Sequence, residues 1–203
     1  MCHIANGNLG HVEIEPDELK NIRWQEAERA ARIIGAKHYS IDINDLFVSA
    51  QNNDLTCKLS RVVRDVQPDL IMTHYPNDYM MDHVQTCEAV ARASFAASCP
   101  HFDPEDPNVA VKVSPIYHMD TLSGIGFIPT EYVDISDVIE TKLEALACHE
   151  SQIIWMQEHD GIDFLDKTRI CSMARGYQCG VQYAEGFRPC TLYLRMSAKR
   201  LLP

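Results

Sequence analysis

Stretches of strand character alternate with stretches of helix character along the whole chain, and this alternation restricts the fold more than any other feature. Residues 3–6, 38–43, 69–73, 111–118 and 132–135 read as strands. The segments between them read as helices. Pro16 opens the first helix and Gly35 closes it, and Leu19, Ile22, Ala27, Ala30, Ala31 and Ile34 make its apolar stripe. Leu55, Leu59, Val62, Val63 and Val66 repeat at helical spacing in the second, which Pro68 stops. Asp82 caps a third helix over 83–98. Three prolines make 99–108 a loop, a long helix runs from after Ser136 to about Asp160, and another covers 164–177. The last stretch, with Tyr183 and Phe187, reads as a short strand and a tail. Strands separated by helices imply βαβ units and a mostly parallel sheet. Ligands of such sheets bind outside the carboxyl ends of the strands. That rule selects the loop after Thr73 and the loop around residues 42–45. The first strand has no βα unit of about 30 residues before it.

The 203 residues suit a single domain, 1–203, large enough to fold around its own core. A formal charge of −11 disfavours nucleic acid and anionic lipid as partners. No apolar run reaches the ~18–20 residues of a membrane span, and the N-terminus lacks a signal-peptide pattern. The eight cysteines include no C-x-x-C pair. They read as free thiols of a cytoplasmic protein.

The densest chemistry lies at 74–83, which holds His74, Asp78, Tyr79, Asp82 and His83 directly after a strand. His83 falls in the first turn of a helix, beside Asp82. A neutral imidazole is a good metal ligand, and a neighbouring carboxylate can orient it. A solvated histidine next to a helix-capping aspartate is the plain alternative. No G-x-G-x-x-G, P-loop or G-x-S-x-G motif is present, so phosphate cradling and serine-nucleophile chemistry have no support.

His74-Tyr-Pro-Asn-Asp78-Tyr-Met-Met-Asp82-His83 resembles the second motif of the LmbE/PIG-L metal-dependent de-N-acetylases. Residues 5–11, Arg23-x-x-Glu26, residues 132–152 and Tyr183-Ala-Glu-Gly-Phe187 are similar to that family in the same order. The resemblance implies a three-layer, Rossmann-like α/β fold with a mostly parallel sheet. It also implies removal of acetyl from an N-acetylglucosamine-type sugar conjugate, with Zn2+ or another divalent metal as cofactor. It carries His83 onto a metal ligand, and Arg23, Asp45 and His149 onto substrate-binding positions. Asp82, His74, Asp78 and Tyr79 stand as catalytic candidates.

Two departures accompany the matches. The family's A-H-P-D-D-E motif, which supplies two ligands and a base, has no counterpart, so the N-terminal βα unit is missing or incomplete. Position 80, often histidine in the family, is Met80, whose thioether cannot donate a proton. An N-terminally truncated hydrolase and a non-catalytic relative keeping a sugar-binding cleft are therefore both consistent with the sequence. A strand edge left open by the absent unit favours a homo-oligomer.

Overall fold

The computed structural model describes residues 1–203. The elements follow in the order β1 (Cys2–Ala5), α1 (Pro16–Ile33), β2 (Tyr39–Ile43), α2 (Asn53–Val66), β3 (Ile71–Thr73), α3 (Met81–Ala96), β4 (Ile116–Met119), β5 (Glu131–Asp134), α4 (Ile139–Ala147), α5 (Glu150–Asp160), α6 (Phe164–Cys179) and β6 (Ala184–Pro189). Short 3-10 turns precede β5 and α4. The α/β class expected from the sequence is what the chain forms. The strands lie in two sheets, however. β1 pairs with β2 in parallel, and a separate four-stranded sheet has the order β3-β4-β6-β5, with β3 and β4 parallel and β4 and β6 antiparallel.

The backbone gathers into two compact units. The first comprises Met1–Phe47 and Asp134–Glu185, the second Val48–Val133 and Gly186–Pro203. In the first, α1 packs against α4 and α5. Leu19, Ala27, Ala30 and Ala31 of the expected stripe are buried, whereas Ile34, one residue beyond the helix, is half exposed. In the second, α2 packs against α3. Asn52 caps α2 by accepting from the N–H groups of Asp54 and Leu55. Gln67 leaves the helix in the left-handed conformation just before Pro68.

The long helix expected after Ser136 is broken. α4 ends at Ala147, and His149 takes a non-helical conformation before α5. The cause lies on α1. Glu26, only 2% exposed, accepts the Ser151 N–H at 2.7 Å and the Ser151 hydroxyl at 2.8 Å. A carboxylate at a helix N-terminus satisfies an orphan N–H and meets the positive end of the helix dipole. Here that carboxylate comes from another helix, and periodicity along α4 and α5 cannot reveal it. β4 starts at Ile116, later than the sequence suggested: its ladder to β3 begins with the Ile71 N–H on the Pro115 carbonyl, whereas the Val111 N–H bonds to the Ala97 carbonyl.

Candidate metal centre

The centre lies wholly within the second unit and is built by the turn between β3 and α3. β3 ends at Thr73, so His74 is the first residue past the carboxyl end of the strand. A turn closed by the Asp78 N–H on the Tyr75 carbonyl folds the chain back, and α3 begins at Met81. Met80 occupies the N-cap position and its side chain caps nothing. Asp78 does that work: its Oδ1 accepts the Met80 N–H at 3.0 Å, while its Oδ2 is 3.0 Å from Nδ1 of His83 in the first turn of α3. The Asp78 side chain is 2% exposed.

This folding brings two imidazoles together. The rings of His74 and His83 stack with centroids 3.9 Å apart and planes 6° from parallel. Ligand atoms of His74, Asp78 and His83 all lie within 4.8 Å of one another. Burial, reinforced by His83, lowers the His74 pKa to about 4. His74 is therefore neutral near pH 7 and keeps a nitrogen lone pair. Two stacked imidazoles would repel strongly if both were protonated, which also favours the neutral form of His74. Two imidazoles and a carboxylate are the donors that zinc and other divalent first-row ions take, with one position left open for water or substrate.

Packing holds the loop in place. His118, the third residue of β4, donates from Nδ1 to the His74 carbonyl at 2.9 Å. The Cys87 sulfur is 3.7 Å from the same nitrogen. Burial lowers the His118 pKa and raises that of Cys87 to about 11, so the pair stays neutral. Tyr75 sits edge-on to Phe127 at 4.9 Å, with the Arg188 guanidinium 5.8 Å from its ring centre.

The residues singled out from the sequence fall into three groups. His74, Asp78 and His83 converge. Asp82 lies in the first turn of α3 and is outside the cluster, and Tyr79 is 65% exposed on the rim of the loop. Arg23, Asp45 and His149 belong to the first unit. There Asp45 accepts the N–H groups of Gly7 and Leu9, at 3.0 and 3.2 Å. Arg23 donates to the carbonyls of Gly7 and Gly10 and to Oε1 of Gln152. Both residues clamp the backbone of the 7–10 loop, so their heads are engaged in architecture. Gly7 needs its missing side chain here: it has φ +77°, and a Cβ would stand 2.5 Å from the Arg23 side chain. His149 forms the joint between α4 and α5, where burial lowers its pKa. Sequence reasoning placed His74 and Asp78 among proton-handling groups and missed them as companions of His83. The available signal was the position of His74 at the strand end and the tight turn that follows it.

A strand-end loop presenting His-Asp-His on a parallel β-α-β framework defines an α/β protein with a candidate metal centre. Comparison with known proteins points to one family: the PIG-L model, described as GlcNAc-PI de-N-acetylase, matches residues 1–94. The diacetylchitobiose deacetylase of Thermococcus kodakarensis is 26% identical, over 91% of this chain and 69% of its own. The structure of the N,N'-diacetylchitobiose deacetylase of Pyrococcus horikoshii superposes with a TM-score of 0.76 at 27% identity, covering 93% of this chain and 71% of that one. The 4-oxalmesaconate hydratase of Pseudomonas putida is 27% identical, over 69% of this chain and 54% of its own. No helix is long and apolar enough to cross a membrane.

Proposed function

We propose that the protein is a metal-dependent hydrolase that removes acetyl from an N-acetylglucosamine-type sugar conjugate. The observation that carries the reading is the convergence of His74, Asp78 and His83 at the end of β3. These three residues would hold zinc or another divalent ion, which when bound would acidify a water and polarise the acetyl carbonyl. The chain's own residues prepare for that chemistry. His74 stays neutral. Asp78 fixes the ring of His83 and ties it to the start of α3. Proton transfer is assigned to Asp82, in the first turn of α3 though outside the cluster, because the Met80 thioether cannot fill that role. Tyr79 is the phenol at the rim. Substrate-binding roles for Arg23, Asp45 and His149, all in the first unit, belong to the same reading and rest on the family resemblance alone. The acting form is a cytoplasmic homo-oligomer.

The diacetylchitobiose deacetylase relatives support the amide reading. A hydratase relative of similar identity supports a second one, addition of water to an unsaturated carboxylate by the same centre. The two part in one experiment. Purified protein loaded with Zn2+ is given diacetylchitobiose with detection of free amine, and in parallel 4-oxalmesaconate with detection of lost conjugation. Amine release that disappears in His83→Ala supports the hydrolase. Loss of conjugation without amine release supports the hydratase. Metal binding with neither turnover overturns both and favours a non-catalytic relative.

A further inference from the structure

The second unit contains a cleft that the metal centre does not use. It has a volume of about 570 Å³, within the ordinary range for small-molecule sites, and Tyr117, Thr130, Glu131, Tyr132, Lys199 and Arg200 are among its lining residues. Tyr117 precedes His118 on β4, and successive strand residues face opposite sides of a sheet. The cleft is therefore on the face of β4 away from the His118 contact that holds His74.

Its floor has an unmet need. Tyr117 donates its hydroxyl to Oε1 of Glu131 at 3.1 Å, and Oε2 of the same carboxylate is sealed from solvent with no partner. Burial and that hydrogen bond raise the Tyr117 pKa, so its hydroxyl remains a donor and Glu131 remains the acceptor. A sealed, unpaired carboxylate oxygen is costly, and a donor that reaches it recovers the loss. Lys199 and Arg200, which line the same cleft, make no ion pair; the Arg200 guanidinium bonds only to the Pro203 carbonyl. The 196–200 segment that carries them is anchored before by buried Arg195, bonded to the Ser114 and Ala91 carbonyls, and after by buried Leu202. Between those anchors its bonds are local, such as the Lys199 N–H to the Ser197 hydroxyl. Glu131 and this segment line one cleft, so a ligand bound there stands beside the unpaired carboxylate and both cations.

We propose that this cleft is a second small-molecule site, for a zwitterion with an ammonium group that meets Glu131 and a phosphate or carboxylate that meets Lys199 and Arg200. An ammonium satisfies Oε2 with a charge-assisted hydrogen bond, and an anion pairs the two exposed cations. Neither interaction depends on the hydrolase reading.

Calorimetric titration tests it, with glucosamine 6-phosphate as the full probe, and glucosamine, glucose 6-phosphate and inorganic phosphate as its halves. Saturable binding of glucosamine 6-phosphate, at least about tenfold tighter than any half, is expected. Glu131→Gln should weaken it about tenfold and leave glucose 6-phosphate unchanged. The double variant K199A/R200A should weaken both phosphates and spare glucosamine. His83→Ala should change nothing. Absence of saturable binding by the wild-type protein overturns the proposal, as does binding that His83→Ala abolishes. Should Glu131→Gln fail to fold, the wild-type comparison of the four probes and the double variant still decide.

Discussion

Glu26→Ala provides a direct measure of how one side chain divides a helix. Glu26 is on α1, its carboxylate is buried, and it accepts both the N–H and the hydroxyl of Ser151 at 2.7 and 2.8 Å. Each bond to a charged acceptor contributes roughly 1.5–3 kcal/mol, and the variant leaves the Ser151 N–H buried at the start of α5. The helix dipole adds up to about 1 kcal/mol in favour of the carboxylate. Taking the desolvation of the free acid as partial compensation, the expected loss is about 3–4 kcal/mol. Glu26→Gln keeps an acceptor for the N–H and should lose about half as much. Urea unfolding followed by circular dichroism gives both numbers, with an unchanged slope as the check that only the folded state is affected. If Glu26→Ala costs less than about 1 kcal/mol, the carboxylate is not what sets the α4–α5 break, and the reasoning fails.

Other consequences are as specific. Arg64 is 2% exposed and donates to the carbonyls of Ala97, Cys99, Phe102 and Asp103 while paired with Asp106, so Arg64→Ala should destabilise by about 3–5 kcal/mol and speed amide exchange over residues 97–106. His3 is held neutral, its pKa lowered to about 4 chiefly by burial, with His38 and His149 adding repulsion. The unfolded chain takes up that proton near pH 6.5, so this contribution is full above pH 6.5 and fades as pH falls towards 4; the melting temperature of wild type should drop more steeply over that window than that of His3→Gln. Gly7→Ala forces a side chain at φ +77° into Arg23 and should loosen the 7–10 loop, read as faster amide exchange at Leu9 and a loss of about 1–3 kcal/mol.

Local chemistry made much of the fold legible. Pro16, the apolar spacing of α1 and α2, and the Pro68 stop each act within a few residues of where they stand, and each element sits close to where those signals put it. What stayed hidden depends on residues far apart in sequence. The α4–α5 break needs Glu26, 125 positions before Ser151. The engagement of Arg23 needs Gln152, 129 positions away. The division of the strands into two sheets is a matter of pairing, which period-2 patterns do not encode. At the candidate site, density of chemistry along 74–83 located the loop, but spacing alone could not sort its members. Asp78 and His83 meet because the chain turns at Tyr75–Asp78, and Asp82, next to His83 in sequence, falls outside the cluster because adjacent helical residues point about 100° apart.

The central claim is that His74, Asp78 and His83 form one metal site. It is tested most directly by metal content: the protein is stripped with chelator, reloaded with Zn2+, desalted, and assayed by elemental analysis alongside His74→Ala, Asp78→Asn and His83→Ala. The account predicts about one ion per wild-type chain, with either histidine variant reduced close to zero and Asp78→Asn weakened about tenfold or more, since orienting and ligating carboxylates both matter at that level. Equal metal retention by wild type and all three variants, with each variant folded by circular dichroism, would contradict it.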